Sequence, residues 1–252
     1  MPPARPGEAP VPPDAGTRTR VDVVVPCLNE INVLRSSVET VVALFARHPR
    51  FDWRLVIADN GSTDGTGELA NQLQDEYQQV QALVLPVRGR GLALREAWLQ
   101  SDADIVSYMD VDLSTDIEHL PRLVAMVADD GCDIAIGSRL ARGSSTRRGF
   151  KREVTSRVYI AMVRLTFPGL KVSDAQCGFK ALSRRVVDEL VPRVENRMWF
   201  FDTELLVLAH RAGMAICEMP VRWQEDRDTK VKIVGTAIED IRGLARMRLR
   251  RS

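Results

Sequence analysis

Long hydrophobic runs are absent from this 252-residue sequence. No stretch approaches the roughly 18 apolar residues that a membrane-spanning helix needs, so we expect no transmembrane segment. Residues 1–20 carry six prolines and no hydrophobic region, a composition that differs from that of a signal peptide. It predicts a disordered, proline-rich tail over residues 1–19.

Cysteine is scarce, and the four cysteines are far apart in the sequence. Cys27, Cys132, Cys177 and Cys217 form no C-x-x-C pair and have no partnering histidine pattern. This spacing excludes the common zinc-site motifs and favours a reducing compartment. We therefore expect a cytoplasmic protein.

Short motifs for several nucleotide-binding classes are also missing. There is no Walker-type loop and no internal repeat, and no Gly-x-Gly-x-x-Gly follows the first predicted strand. A nucleotidyltransferase is disfavoured as well, because no glycine-rich loop bearing Lys or Arg follows that strand.

A large excess of charge of one sign is lacking overall, since the net charge is +1. The distribution is uneven, however: from Arg139 to Arg164, eight Lys or Arg residues stand against Glu153 alone, and 242–251 is basic too. Such clusters indicate an anionic partner or a membrane surface, with solvated faces as the alternative. We expect no nucleic-acid partner.

Strand-like and helix-like segments alternate through the first 137 residues. Strands are predicted over 20–26, 51–58, 80–86, 105–109 and 132–137. Helical segments separate them, and the first is predicted to end near Arg47 and the third near Gln100. This alternation predicts an α/β fold with a largely parallel sheet covered on both faces.

An acidic pair, Asp110 and Asp112, directly follows the fourth predicted strand. Carboxylates this close repel each other unless a cation lies beside them, and a hard ion such as Mg²⁺ or Mn²⁺ would remove that cost. The alternative is that the pair only caps a helix beginning near Asp116.

Polar residues also follow the first two strands, at 27–30 and 59–66. The second segment is rich in Gly and Asp, and Thr63 or Asp64 is predicted to cap the next helix. An ordinary strand-to-helix loop is the alternative. Three strand ends are thus predicted to meet in one crevice, where open α/β sheets bind ligands.

Four motifs in order resemble those of family 2 glycosyltransferases with the GT-A fold. They are Val-Val-Pro-Cys-Leu-Asn-Glu (24–30), Asp-Asn-Gly-Ser-Thr-Asp-Gly-Thr (59–66), Arg-Gly-Arg-Gly (88–91) and Asp-Val-Asp-Leu-Ser (110–114). The segments 136–139, 147–152, 173–180, 199–205 and 221–225 are similar to polyprenyl-phosphate sugar synthases, and most of all to dolichyl-phosphate glucosyltransferases. Two departures are Arg90 in place of Lys, and Asp228-Thr229 in place of Gly-Ser.

The resemblance implies a three-layer α/β/α sandwich of the GT-A type over residues 20–252. Within it we expect a nucleotide-sugar half (20–140), an acceptor half (141–235) and a basic amphipathic C-terminal helix (236–252). The implied reaction is metal-dependent, inverting transfer of a hexose from a UDP- or GDP-sugar to a polyprenyl phosphate.

Site residues follow from the motifs residue by residue. The metal ion, Mg²⁺ or Mn²⁺, is assigned to Asp112 first and Asp110 second. Implied donor-binding residues are Pro26, Leu28, Asn29, Glu30, Asp59, Gly61, Arg90, Asp110 and Val111. Implied acceptor-binding residues are Arg139, Arg148, Lys151, Asp174, Gln176, Trp199 and Lys230. The implied catalytic set is Asp110, Asp112, Arg139 and Asp202.

Several of these assignments have plainer alternatives. Glu30 could act only through first-turn helix electrostatics, and Asp174 could simply pair with an arginine. Asp202 matches the catalytic base of alcohol-accepting relatives; we favour a positioning role, with a helix N-cap as the alternative. The four tryptophans are interpreted as core residues, and among them Trp199 is the one we would test for sugar contact.

Two helices are predicted to be basic and amphipathic, at 150–167 and 238–249. Their apolar residues are Val154, Val158, Ala161, Met162 and Leu165 in the first, and Ile241, Leu244, Ala245 and Leu249 in the second. Such helices suit an anionic membrane surface, so we expect peripheral attachment at the cytoplasmic face. The alternative is that both stripes pack on the protein itself.

Two rival functions remain open. A transferase with a soluble or lipid alcohol as acceptor would use Asp202 as its general base. A nucleotide-sugar-binding or membrane-docking module would have no activity, although the intact Asp59, Asp110 and Asp112 argue against it.

Overall fold

A computed structural model describes residues 18–147, 150–224 and 233–249 of the chain. The predicted tail over residues 1–19 lies almost entirely outside this range.

Strands and helices alternate along the chain, as the sequence predicts. The strands are β1 (Arg20–Cys27), β2 (Asp52–Asn60), β3 (Val80–Leu85), β4 (Ile105–Met109), β5 (Ile134–Ser138), β6 (Ser145–Arg147), β7 (Phe179–Ser183), β8 (Ile216–Pro220) and β9 (Arg222–Gln224). The α-helices are α1 (Ile31–Arg47), α2 (Thr66–Glu76), α3 (Arg90–Gln100), α4 (Leu120–Ala128), α5 (Phe150–Thr166), α6 (Arg184–Glu189), α7 (Phe201–Arg211) and α8 (Ile233–Leu249).

Seven strands form the central sheet in the order β3-β2-β1-β4-β7-β5-β8. Strand β7 runs antiparallel to both of its neighbours, whereas the other pairings are parallel. The predicted α/β fold with a mostly parallel sheet is therefore confirmed. A separate two-stranded sheet pairs β6 with β9.

The middle of the sheet is almost wholly apolar because helices cover it. All five residues of β4 are buried, as are five successive residues of β1 from Val21 to Val25. Such continuous burial is typical of strands in parallel sheets. In register, Cys27 lies opposite Asp59 and Val24 opposite Tyr108, so the strand ends line up at one edge of the sheet.

The antiparallel strand β7 was not among the predicted strands. It lies between β4 and β5 and brings the segment 173–180 to the end of β4. Its Lys180 is the register partner of Tyr108, and the Lys180 carbonyl oxygen accepts a hydrogen bond from the Ser107 hydroxyl at 2.7 Å. This insertion places residues from the second half of the chain beside the acidic pair.

The cysteines require a correction. Cys132 and Cys217 form a disulfide, whereas Cys27 and Cys177 are free and buried. The two cysteines are separated by 85 positions in the sequence, and no local pattern indicates that they are in contact. Strand β8 pairs with β5, however, with Cys217 opposite Ala135. Disulfides are rare in reducing compartments, so this bond does not support the expected reducing compartment.

The exposed faces of α5 and α8 correspond only in part to the predicted stripes. On α5, Val154, Val158 and Leu165 are exposed, while Tyr159 and Val163 are buried on the opposite face. On α8, Ile241 and Leu249 are exposed, but Leu244 is buried against the protein. Among the described residues, no helix is long and apolar enough to cross a bilayer.

Candidate active site

The acidic pair lies in a tight turn at the carboxyl end of β4. The Leu113 N–H donates to the Asp110 carbonyl oxygen at 3.2 Å, and the Ser114 N–H donates to Asp112 Oδ1 at 2.9 Å. Leu113 has a φ of +51°, a conformation that costs energy for a branched side chain. The Ser37 hydroxyl on α1 fixes the turn by donating to the Val111 carbonyl oxygen at 2.6 Å.

The acidic pair does not cap the following helix. Asp116 does so instead, because its Oδ1 accepts from the Glu118 N–H at 3.0 Å at the start of a short 3-10 helix, Ile117–His119. The alternative interpretation of the pair as a helix cap is thereby removed.

The loops after β1 and β2 are joined by side-chain hydrogen bonds. The Asn29 N–H donates to Ser62 Oγ, and Asn29 Oδ1 accepts from the Thr63 N–H, both at 2.8 Å. The Ser62 hydroxyl in turn donates to the buried Asp59 carboxylate. Asn29 has a φ of +56°, which asparagine tolerates better than most residues. These hydrogen bonds bring predicted donor-binding residues of two motifs, Asn29 and Asp59, into adjacent loops.

The start of α2 differs from the prediction. Gly65, with a φ of +94°, occupies the N-cap position that was assigned to Thr63 or Asp64. Asp64 still binds the first turn, since its Oδ1 accepts from the Thr66 N–H at 3.0 Å. The Thr66 hydroxyl accepts from the Glu30 N–H at 2.9 Å, which connects α2 to the start of α1.

Four side chains form a buried charged cluster between β4, β7, α3 and α7. Asp202 Oδ1 accepts from Lys180 Nζ at 2.8 Å and from the Tyr108 hydroxyl, and Asp202 Oδ2 accepts from Arg90 Nη1 at 2.7 Å. The side chains of Asp202 and Lys180 are 2% and 0% exposed. We call these four residues, Arg90, Tyr108, Lys180 and Asp202, the buried cluster.

The charges of the buried cluster support one another. Burial alone would raise the pKa of Asp202, but Lys180 and Arg90 hold it below its usual value. The pKa of Tyr108 is raised well above its usual value by burial and by the negative charge of Asp202. The cluster therefore contains an ionised carboxylate and a neutral phenol. Asp202 is also not the helix cap, because α7 has its N-cap at Phe200.

The Arg90 guanidinium lies close to two aromatic rings. Its guanidinium carbon lies 5.0 Å from the Tyr108 ring centre and 5.2 Å from that of Trp199. The backbone at 197–201 packs closely on the start of α3, where a Cβ added to Gly91 would meet Phe201 Cβ at 2.6 Å. The glycines of the Arg-Gly-Arg-Gly motif thus allow this packing, which brings Trp199 over Arg90.

Asp110 lies beside two arginines and a glycine. Arg90 Nη2 approaches Asp110 Oδ1 at 3.4 Å. Burial raises the pKa of Asp110, an effect that the positive charges of Arg90 and Arg139 oppose and the negative charge of Asp112 reinforces. A Cβ added to Gly178 would lie 2.5 Å from Asp110 Cγ, so the carboxylate occupies the space that a side chain at 178 would need.

Three of the predicted acceptor residues, Arg139, Asp174 and Gln176, form side-chain hydrogen bonds. Arg139 donates through Nε and Nη2 to the two carboxylate oxygens of Asp174, at 2.7 and 2.9 Å, so the simple pairing considered for Asp174 is present. Gln176 Nε2 donates to Asp240 Oδ2 on α8 at 2.9 Å. Arg148 and Lys230 lie outside the described residues, and only the backbone of Lys151 is described.

The donor set at the end of β4 fits a hard divalent ion. Asp110 and Asp112 supply two carboxylates at one place. The negative charge of Asp112 raises the pKa of Asp110, in addition to the larger effect of burial. Mg²⁺ commonly takes one or two carboxylates and fills its other positions with waters and substrate phosphates. In the described part of the chain, no group of three or more His, Cys, Asp or Glu side chains is arranged to hold a metal.

Sequence reasoning missed Tyr108, Gly178 and Lys180 as parts of the site. Gly178 and Lys180 belong to the segment 173–180, which is similar to polyprenyl-phosphate sugar synthases. That similarity could have identified both residues as parts of the site. Trp223 was interpreted as a core residue, but it is only half-buried and lies 5.7 Å from the guanidinium carbon of Arg139.

Comparison with solved structures defines the class of fold. Glucosyl-3-phosphoglycerate synthase from Mycobacterium tuberculosis, solved with Mn²⁺, UDP-glucose and phosphoglyceric acid, superposes with a TM-score of 0.71 over 91% of this chain and 80% of that one. At 22% sequence identity this likeness establishes the fold alone, which is the predicted GT-A fold.

The sequence comparisons define the family. The model of glycosyl transferase family 2 matches residues 22–191, and the chain therefore belongs to that family. Glycosyltransferase AglD of Haloferax volcanii is 39% identical over 91% of this chain, which spans 36% of AglD. Dolichyl-phosphate beta-glucosyltransferase ALG5C of Trichomonas vaginalis is 30% identical over 84% of this chain and 66% of its own length. The predicted family, family 2 of the glycosyltransferases, is therefore confirmed.

Proposed function

We propose that this protein transfers a hexose from a nucleotide-diphosphate sugar to a polyprenyl phosphate, with inversion at the anomeric carbon. Glucose is the first sugar to test. Dolichyl-phosphate glucosyltransferases of Trichomonas vaginalis and Saccharomyces cerevisiae are among its relatives, at 30% and 26% identity. The solved relative from Mycobacterium tuberculosis binds UDP-glucose, which supports UDP as the first nucleotide to test.

The hydrogen bonds of Asp202 are the main support for a phosphate, and not an alcohol, as the acceptor. An alcohol acceptor needs a base that can reach and take its proton. Both oxygens of Asp202 accept hydrogen bonds within the buried cluster, its pKa is lowered, and its side chain is 2% exposed. A phosphate monoester has a second pKa of about 6 and needs no such base near neutral pH. Asp202 is therefore proposed as a positioning residue.

The chain's own residues have separate roles in this proposal. Loops 27–30 and 59–66 bind the nucleoside, and Arg90 is directed to the diphosphate. Asp110 and Asp112 would hold Mg²⁺ or Mn²⁺, which stabilises the negative charge on the leaving diphosphate when bound. Arg139, fixed on one edge by Asp174, is proposed to orient the acceptor phosphate, since a planar guanidinium suits bidentate binding of phosphate.

A donor and acceptor panel tests the proposal. The chain is incubated with UDP-glucose or GDP-mannose, Mn²⁺ or Mg²⁺, and either a short-chain polyprenyl phosphate or the matching polyprenol. We expect lipid-linked product from the phosphate and none from the alcohol. Asp112→Ala is expected to lower turnover by about 100-fold or more, whereas Asp75→Ala, at an exposed position on α2, serves as the matched control.

The alcohol-acceptor function makes the opposite prediction. Product from polyprenol or a soluble alcohol, abolished by Asp202→Asn, would establish Asp202 as a base and reject the phosphate acceptor. Donor hydrolysis that depends on Mn²⁺ would by itself exclude a binding module without activity.

We further propose that α5 and α8 attach the protein to an anionic membrane surface. Val154, Val158 and Leu165 on α5 and Ile238 and Ile241 on α8 are exposed apolar residues, and the two helices contact each other. Exposed arginines flank them on the same helices, namely Arg157, Arg164, Arg242 and Arg248. Apolar residues bordered by arginines match the interfacial region of an anionic bilayer. The disulfide weighs against the cytoplasmic part of the predicted location.

Vesicle flotation tests the membrane surface. The protein should float with vesicles that contain phosphatidylglycerol and less with pure phosphatidylcholine. Leu165→Glu and Ile241→Glu should reduce flotation, whereas Leu99→Glu, at an exposed position on α3, should not. Equal flotation of all variants would reject this surface.

A further inference from the structure

Arg90 contacts two carboxylates that have different surroundings. Its Nη1 donates to Asp202 at 2.7 Å, and its Nη2 lies 3.4 Å from Asp110. Asp202 is 2% exposed and has Lys180 as a second cationic partner, whereas the Asp110 side chain is 42% exposed. The bond to Asp202 is therefore the short, buried one, and the contact with Asp110 is the longer, more accessible one.

The guanidinium has little freedom to leave this place. Tyr108 and Trp199 lie on it with ring centres at 5.0 and 5.2 Å, and only 11% of the Arg90 side chain is exposed. A fixed positive charge thus faces the carboxylate that would bind a divalent cation. Two cations that share one carboxylate repel each other, and water at the exposed part of Asp110 screens only part of this repulsion.

A nucleotide diphosphate would change this balance. Under the proposed function its negative oxygens would lie at the end of β4, where Arg90 Nη2 would be available to pair with them while Nη1 remains bonded to Asp202. Asp110 would then lose its arginine partner at the moment when a metal ion arrives with the same diphosphate.

We propose that Arg90 is a removable counter-ion of Asp110, which pairs with this carboxylate in the empty site and with the donor diphosphate in the filled one. The inference rests on the proposed function, because it needs a metal-bound nucleotide as donor. Its consequence is that metal and nucleotide each bind weakly alone and strengthen each other, since such coupling is reciprocal.

Metal binding without turnover tests the inference. Free Mn²⁺ is measured by electron paramagnetic resonance during titration of the full chain, with and without UDP or GDP. Arg90→Gln should bind Mn²⁺ alone roughly tenfold more tightly than the unaltered protein. The same variant should show a smaller strengthening of Mn²⁺ binding by the nucleotide. Arg95→Gln, on the same helix and paired with Glu96, is the matched control and should change neither value.

A second variant predicts the opposite sign and covers the case in which Arg90→Gln does not fold. Asp202→Asn removes the competing negative charge, so Arg90 should pair more strongly with Asp110 and Mn²⁺ alone should bind less tightly. Equal Mn²⁺ affinity of Arg90→Gln and the unaltered protein, or tighter binding by Asp202→Asn, would overturn the inference. Failure of both UDP and GDP to promote Mn²⁺ binding to the unaltered protein would instead reject the proposed metal-dependent donor site.

Discussion

The conformation of Asp110 depends on the absence of a side chain at residue 178. Asp110 Cγ lies 2.5 Å from where a Cβ on Gly178 would be. The motif 173–180 thus requires glycine for space beside a carboxylate, although the glycine itself carries no chemistry.

Gly178→Ala should therefore damage both the site and its stability. The new methyl group must displace the Asp110 carboxylate, so we expect Mn²⁺ binding in the presence of UDP to be lost. Overpacking of this kind costs about 1–3 kcal/mol in the free energy of unfolding, measured by urea titration.

A double variant distinguishes the clash from a general backbone effect. Adding Asp110→Ala removes the group that the methyl meets, so most of the lost stability should return. If the two substitutions are additive instead, the contact between Gly178 and Asp110 does not determine the geometry.

The second prediction at this scale concerns Lys180. Its Nζ is fully buried and donates to Asp202 and to the Cys177 carbonyl oxygen, at 2.8 and 2.6 Å. Lys180→Met keeps the length of the side chain but leaves Asp202 one cation short. We expect the free energy of unfolding to fall by about 3–5 kcal/mol, as is typical of broken buried pairs.

Asp202→Asn in the Lys180→Met background provides the control. Removing both charges should cost less than the sum of the two single losses, because neither charge is then left uncompensated. An additive double variant would mean that the two side chains do not stabilise each other.

At the scale of elements, α8 is attached through a buried acid. Asp240 Oδ2 accepts from Gln176 Nε2 at 2.9 Å, and the buried carboxylate also interacts with the Tyr159 hydroxyl. Burial raises the pKa of Asp240 to about 6. We therefore expect the contact between α8 and the segment 173–180 to be sensitive to pH.

The sign of this dependence follows from the two states. The folded protein holds the proton up to about pH 6, whereas an unfolded aspartate loses it near pH 3.9 or so. The stability that Asp240 contributes is complete below the unfolded pKa and is lost as the pH rises through about 6. Asp240→Asn keeps the acceptor oxygen for Gln176 and does not ionise.

Urea unfolding at two pH values measures the effect. The free energy of unfolding of Asp240→Asn minus that of the unaltered protein should be larger at about pH 7.5 than at about pH 4.5. A stability difference between the two proteins that is independent of pH would contradict the role of Asp240.

At the scale of the whole molecule, the disulfide ties the edge strand β8 to the segment before β5. It closes a loop with a sequence separation of 85 residues, and loops of this length give a stabilisation of about 4–5 kcal/mol from chain entropy alone. We expect dithiothreitol to lower the midpoint of thermal unfolding. The Cys132→Ser, Cys217→Ser double variant should start at the lower midpoint and show no response to the reductant.

The sequence alone determined the alternating strands, the mostly parallel sheet and the acidic pair at the end of β4. These features depend on local patterns: β-strand residues in short runs, and carboxylates directly after a buried strand. The order of the motifs was also sufficient to indicate the family, because each motif is continuous in the sequence.

Only the tertiary structure decided which distant residues meet. The sequence does not indicate that Lys180 and Asp202 are neighbours, but the antiparallel insertion of β7 and the start of α7 bring both to Tyr108. The Cys132–Cys217 bond likewise depends on the pairing of β5 with β8. Strand order and direction arise from packing across the whole sheet, and a buried charge becomes stable only when its partners arrive from other elements. Neither the strand order nor the partners of a buried charge can be predicted from a local sequence pattern.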